Sequence, residues 1–462
     1  MNQPNLYTIN QIKESENIYI KKNSLNKLFD NATTKIITFI KKNYKNKKIL
    51  FVCGPGNNGM DGKLTYNKLL EKYDVSIFNV DRNIKINLKK LKNFIKNSEI
   101  IFDCIFGTGL NKKISGENVK IIELINNSNK QIVAVDIPSG LSGDSGERMG
   151  TCIIADTTLA MGFLKPGYFL QPAKEFIGKL ELLNLGLPLP TFKPNIKLVN
   201  KKYINNIPCH NSNINKYDKG HVLVIGGEMA GASRLVAYSS RKTGCGLSTI
   251  SVEEKNLKYY SQTEPGTIVK IFNNSDLNNK DVLVIGPGLG KSFNTKKLLE
   301  IIESFHGPKI LDADAISIFE NKKKQFSKFL FKQKNIILTP HTGEFKRVFS
   351  YSKKLSKINN CLKASKLINN CILLKGNDTV IAFPDENIWI NNLANQNLAT
   401  AGSGDVLCGI IAGLLAQNMV IEEAMPASLF IQSKISKSKK NVVVEDFIGE
   451  IPIAINSLKN NN

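Results

Sequence analysis

The segment Thr400-Ala401-Gly402-Ser403-Gly404-Asp405-Val406-Leu407 runs from a glycine turn straight into the apolar stretch Cys408 to Leu415. A flexible turn opening a helix leaves free backbone N–H groups at the positive end of the helix dipole, which makes an anion site. A carboxylate at its mouth is ill suited to holding phosphate, because like charges repel. It suits taking a proton from a hydroxyl whose oxygen attacks phosphorus, so Asp405 is the candidate catalytic base. The competing account is an acid that only complements the helix dipole. Other groups point to phosphoryl chemistry. Lys375-Gly376-Asn377-Asp378-Thr379 places a cation and a turn after an apolar run, and Pro340-His341-Thr342-Gly343-Glu344 places an imidazole and a carboxylate after another. Asp312 and Asp314 offer acids for a magnesium ion. Gly286-Pro287-Gly288-Leu289-Gly290-Lys291-Ser292 imitates a P-loop but has three residues between its glycines rather than the four required, so a P-loop NTPase is excluded.

The first half carries its own constellation. Gly54-Pro55-Gly56-Asn57-Asn58-Gly59 fits the dinucleotide spacing GxGxxG, with Asp81 at the end of the next apolar run, and taken alone suggests a dehydrogenase. Asn57, Asn58 and Asp61 add side-chain oxygens where such a loop usually offers only backbone. With Asp103 and Asp136 at two further strand ends and Ser139 close by, they form a set of hard oxygen donors suited to a cation.

Elements must exist to bring these residues together. Short β-branched runs recur at Ile49 to Cys53, Ile100 to Asp103, Ile132 to Asp136, His221 to Ile225, Asp281 to Ile285, Lys309 to Leu311, Asn335 to Leu338 and Cys371 to Leu374, each followed by a turn and a helix-length stretch. That alternation predicts two doubly wound α/β domains, with ligands beyond the carboxyl ends of the strands. A helix is expected from about Leu64 to Leu70. Three prolines between Leu187 and Pro194 predict a linker, dividing the chain into 1–200 and 201–462.

The 462 residues suffice for two cores. Lys and Arg number 63 against 39 Asp and Glu, a net charge of +24. The excess is mostly lysine among asparagine and isoleucine, as in residues 41 to 48, a pattern that a coding sequence rich in A and T also produces. It is read as a solvated face rather than a nucleic-acid site. The eight cysteines form no CxxC pair, so buried free thiols in a reducing compartment are expected. No basic segment followed by an apolar core begins the sequence and no run approaches a membrane span, so a cytoplasmic location with no membrane partner is expected.

The loop Gly54 to Gly62, Asp103 to Leu110, Asp136 to Leu141 and Lys165-Pro166-Gly167 resemble the NAD(P)H-hydrate epimerase domain. That resemblance implies a Rossmann-like sandwich in which Asn57, Asn58, Gly59, Met60, Asp61, Gly107, Thr108, Gly109, Leu110, Asn111, Lys112, Lys113 and Asp136 contact the hydrated nucleotide. It likewise implies potassium on Asn58, Asp103 and Ser139. Met60 departs from the family's usual glycine, so crowding of the phosphates or strain at a positive φ is expected, with a weakened epimerase. The Gly-Ser-Gly-Asp segment, Thr339 to Glu344 and Lys375 to Thr379 are similar to the ribokinase-like, ADP-dependent NAD(P)H-hydrate dehydratase domain. By position this implies Ser233, Gly288, His341 and Asp405 on the hydrate, and Lys375, Gly376, Asn377, Asp378, Thr379 and Gly404 on the adenine nucleotide, with magnesium. Together the halves resemble bifunctional NAD(P)H-hydrate repair enzymes. The substrates expected are then NADH hydrate, NADPH hydrate and ADP, in a homo-oligomer with no nucleic-acid partner. A vitamin or sugar kinase with a scaffold first half, and a nucleic-acid-binding protein, are the alternatives.

Overall fold

The computed structural model describes residues 5–80, 87–204, 206–210, 213–437 and 443–459. Asp81 lies outside them. The chain divides into two compact units between Ile196 and Lys197, just after the proline-rich stretch.

The first unit contains a six-stranded parallel sheet in the order Val75–Asn79, Ile49–Cys53, Ile100–Cys104, Gln131–Val135, Thr157–Met161, Lys179–Leu183. Three of its central strands are buried along most of their length, which explains their unbroken apolar sequences. The register pairs Cys53 with Cys104 and Asp103 with Ala134, so the glycine turn and the two acid-bearing strand ends lie side by side. Helices Ile9–Lys22 and Leu25–Asn43 precede the sheet; the first opens with a reciprocal cap between Thr8 and Gln11.

The second unit aligns nine strands in the order Ile388–Asn391, Thr379–Ala382, Cys371–Leu374, Ile336–Leu338, Lys309–Leu311, Val282–Ile285, His221–Ile225, Leu247–Val252, Ile268–Ile271. All pairs are parallel except those made by Thr379–Ala382. Helix Ser403–Ala416 is buried from Val406 onward. Its apolar character on every side suits that position. It packs on helix Ala230–Thr243 through Gly409, where a Cβ would stand 1.8 Å from Ser239 Oγ. This close approach fixes the height at which Asp405 meets the strand ends.

The lysine-rich run at residues 41 to 48 is exposed apart from Tyr44, as its sequence suggests. All eight cysteines are free and seven are buried; Cys209 is the exposed exception. No helix among the described residues is long and apolar enough to cross a membrane.

Candidate active sites

In the first unit the polar loop is itself helical. The helix runs Asn57–Leu69 rather than starting near Leu64, so Asn57, Asn58 and Asp61 occupy its first turns. Two glycines bring it against the strand ends. A Cβ on Gly59 would lie 1.9 Å from the Gly54 carbonyl oxygen, and one on Gly62 within 2.8 Å of the Cys53 and Cys104 sulfurs. Apolar periodicity cannot reveal a helix whose first turns are polar and glycine-rich, which is why the sequence places its start too late.

This helix, the strand ends and the two N-terminal helices enclose a cavity of about 410 Å³. Asn57, Asn58, Asp61, Gly107 to Asn111 and Asp136 line its polar side; Ile12, Leu28 and Phe29 are among the apolar residues facing them. Asp136 sits in the left-handed region at φ 69°, a conformation that costs energy and concentrates at functional sites. Its Oδ1 accepts from Lys165 Nζ at 2.7 Å and its Oδ2 from the Thr108 N–H at 3.0 Å, while Tyr168 O–H donates to its carbonyl at 2.6 Å. Burial works against the Lys165 charge, but Asp136 and Tyr168 outweigh it and hold the ammonium above the usual lysine range. Asp61 has a sealed Oδ1 with no hydrogen-bond partner. Burial, then Asp136 and Glu16, raise its carboxyl well above the ordinary aspartate value. Glu16, from helix Ile9–Lys22, lines the same cavity and is raised by burial and by Asp136, against Lys165 and Lys13.

Of the three residues expected around potassium, Asp103 and Ser139 are in contact. Asp103 is wholly buried, and burial pushes it up to about 6 although Ser139 and Ile105 bond to it. Ser139 Oγ lies 2.6 Å from Asp103 Oδ1, and the Ser139 N–H donates to Oδ2 at 2.8 Å. Asn58 is buried with neither atom of its carboxamide partnered. Gly107 passes between Asn58 and Asp136, where a Cβ would come within 3.2 Å of Asn58 Cβ and 2.9 Å of Asp136 Oδ2. A buried carboxamide oxygen without a partner is a donor that suits a monovalent cation.

Other expected contacts stand apart. Gly59 is packed beneath Gly54, and Lys112 and Lys113 are exposed; none of the three lines the cavity. Met60 does not line it either, and the expected backbone strain is absent: Met60 is helical, its N–H donating to Gly56 at 3.0 Å, and it has no positive φ. A helix offers every residue a relaxed backbone, and here the side chain points to solvent, 43% exposed.

In the second unit the strand ends carry paired charges. Lys375 Nζ bonds both oxygens of Asp312 at 2.8 and 3.0 Å, and Cys408 Sγ approaches Asp312 Oδ2 at 3.3 Å. Burial disfavours the Lys375 charge, but Asp312 more than restores it. Gly404 leaves room for this pair, since a Cβ there would lie 3.2 Å from Lys375 Nζ. Asp405 occupies the first turn of its helix, behind Gly402 at φ 85°. Burial, then Asp312 and Glu344, raise it to about 6 against the pull of Lys375. His341 Nδ1 caps its short helix by accepting from the Gly343 N–H at 2.9 Å, and its Nε2 lies 3.3 Å from Glu344 Oε1.

Gly288, at φ 69°, sits in a turn closed against the Met229 carbonyl, where a Cβ would meet that oxygen at 2.2 Å. Ser233 is fully buried; its hydroxyl donates to Pro287 at 3.0 Å and accepts from Tyr260 at 3.3 Å, so it braces this turn instead of facing a ligand. Gly376 and Asn377 are exposed at the turn after Lys375. Asp378 is tied to Lys357 Nζ at 2.6 Å and Thr379 Oγ1 to the Gly376 carbonyl at 2.8 Å, which shapes the turn. The magnesium expectation fits poorly. The Asp312 oxygens are taken by Lys375, Asp314 accepts from the Gly290 N–H at 3.0 Å, and no cluster of three acidic, histidine or cysteine ligands exists among the described residues.

Sequence reasoning gave no role to Lys165, Tyr168 or Glu16. Lys165 belongs to a Lys-Pro-Gly turn visible in the sequence, and an unpaired Asp136 at a buried strand end called for such a cation. Glu16 lies on a helix far along the chain from the loops it faces and carried no signal.

The family described as NAD(P)H-hydrate dehydratase matches residues 222–445, and that of the YjeF-related protein N-terminus matches residues 79–167. The bifunctional NAD(P)H-hydrate repair enzyme Nnr of Dictyoglomus turgidum is 31% identical, the match covering 93% of this chain and 94% of its own length. Its counterpart in Moorella thermoacetica is 30% identical over 85% of this chain and 84% of its own. Among solved structures, a ribokinase-like superfamily protein from Enterococcus faecalis superposes with a TM-score of 0.51 at 24% identity, covering 59% of this chain and 99% of that one, a likeness of fold.

Proposed function

Because the chain belongs to the bifunctional NAD(P)H-hydrate repair enzymes, we propose that its units act in sequence on one damaged cofactor, with residues 1–200 as the epimerase domain and 201–462 as the dehydratase domain. The enzyme is an isomerase and a lyase: it interconverts the R and S hydrates of NAD(P)H and dehydrates the S form at the expense of an adenine nucleotide. Water added across the enamine bond of a dihydronicotinamide leaves a hydroxyl on the carbon beside the ring nitrogen. Hydroxide is a poor leaving group. With ADP as donor, the hydroxyl oxygen bonds to the terminal phosphorus, the bond to the bridging oxygen breaks, and AMP departs. Phosphate then leaves with the C–O bonding pair as the ring-nitrogen lone pair forms a C=N⁺ bond, the neighbouring carbon gives up a proton, and the double bond returns.

One observation carries the reading of the second unit: Asp405 stands at a glycine-opened helix N-terminus beside the Lys375–Asp312 pair. Held at about 6 by burial and its acidic neighbours, Asp405 is ionised near neutrality yet basic enough to take the hydroxyl proton. The amides of Gly402 to Gly404 and the Lys375 ammonium face the transferring charge. The charges already paired there leave magnesium to arrive on the nucleotide phosphates, its usual mode. In the first unit Asn58, Asp103 and Ser139 would hold potassium, which supplies positive charge beside the buried Asp103.

Asp405→Asn tests the assignment. ADP-driven recovery of NADH absorbance from the S hydrate is expected to fall by about a thousandfold, with ADP binding retained. For the unaltered enzyme the same rate should decline as pH drops through about 6, because protonation removes the base. Near-normal turnover in the variant would sink the mechanism.

A further inference from the structure

We infer that Asp61 is the proton donor of the epimerisation and that Glu16, on a different helix of the same cavity, takes the proton back from water; this rests on reading the first unit as the epimerase. The cavity holds two kinds of acid. Asp136 is committed, one oxygen to Lys165 and the other to the Thr108 N–H, and Lys165 is itself spent on Asp136 and Tyr168. Moving a proton within that set would break a buried ion pair, so it serves as a fixed electrostatic frame. Asp61 is different. It lines the cavity, and its Oδ1 is sealed from solvent without a hydrogen-bond partner. A buried carboxyl in that state is stable as the neutral acid, or when a ligand supplies the missing partner. The enclosure and the two neighbouring carboxylates favour the neutral acid, the form a general acid needs.

The chemistry balances with these groups alone. Asp61 gives its proton to the hydroxyl of the hydrate; the C–O bond breaks as the ring-nitrogen lone pair forms a C=N⁺ bond, and water is released. Water then adds to the opposite face of the cation, the electron pair returns to nitrogen, and the surplus proton passes to the Glu16 carboxylate. The enzyme is left with Asp61 ionised and Glu16 protonated, the arrangement that runs the reverse reaction, and exchange with solvent resets it. Glu16 suits the second role because it reaches the cavity from helix Ile9–Lys22, whereas Asp61 comes from helix Asn57–Leu69. The apolar residues Ile12, Leu28 and Phe29 on the cavity wall limit access of bulk water to the cation.

The experiment uses the full chain and the purified R hydrate of NADH, without ADP, following the epimers by chromatography. Asp61→Asn, nearly isosteric, should lower kcat by about a hundredfold with KM within about twofold, and Asp61→Glu should recover part of the loss. Glu16→Gln should lower kcat by about tenfold. A rise in thermal stability on adding the hydrate, retained in each variant, shows that the cavity still folds and binds. Overturning results are an Asp61→Asn enzyme that keeps more than about a third of the wild-type kcat, or a loss expressed wholly in KM. A wild-type enzyme with no epimerisation at all would instead refute the reading of the first unit.

Discussion

The two sites are built from the same strand-turn-helix device and treat charge in opposite ways. In the second unit charged groups arrive paired: Lys375 with Asp312 and Lys357 with Asp378. In the first, beside the pair of Lys165 with Asp136, the amide of Asn58 and an oxygen of Asp61 are buried and left over. The contrast follows the chemistry. A phosphoryl-transfer site receives a co-substrate rich in negative charge and must be organised before that charge arrives. An epimerisation site receives a neutral ring, so donors and acceptors left unspent are free to meet it.

The contrast breaks most severely at Lys375. Lys375→Met removes the cation proposed to face the phosphoryl group and strands Asp312. Dehydration should fall by about a hundredfold or more, and the second unit should lose about 3 kcal/mol in denaturant unfolding. Adding Asp312→Asn should restore much of the stability and none of the rate; joint recovery would mean that the pair is structural only. The corresponding probe of the first unit is Asn58→Leu. Removing an orphaned amide should cost little stability, yet it should abolish any rise in melting temperature brought by KCl over choline chloride and slow epimerisation by about tenfold. Potassium stabilisation that survives this change would place the ion elsewhere.

Much of this arrangement was legible in the sequence, for a physical reason. Parallel strands buried on both faces are near-continuous apolar runs, and the residues at or just past their ends, Asp103, Asp136, Asp312 and Lys375, fall at the carboxyl edge, where sheets of this kind bind ligands. What stayed hidden depends on distance in the chain. Ser233 looks like a ligand contact until Pro287 and Tyr260 are seen to occupy its hydroxyl. Glu16 looks like any surface acid until its helix is seen to wall the cavity. Backbone state is the other blind spot. An asparagine- and glycine-rich stretch reads as a loop, whereas the clearance provided by Gly59 and Gly62 lets it begin a helix.

That last point reverses the expectation for Met60 and supplies the smallest effect. Read as a loop in which the family usually has glycine, the position predicts a weakened epimerase. Read as the fourth residue of a helix, with the side chain 43% exposed and away from the cavity, it demands nothing. Met60→Gly should therefore leave R-hydrate epimerisation within about twofold, because no cavity-lining group moves. It should lower the stability of the first unit by up to about 1 kcal/mol, since glycine is a poor helix former and the first turns carry Asn58 and Asp61. A marked acceleration would show that the methionine crowds the bound nucleotide from outside the cavity. The contrast between the sites would then have to include access as well as charge.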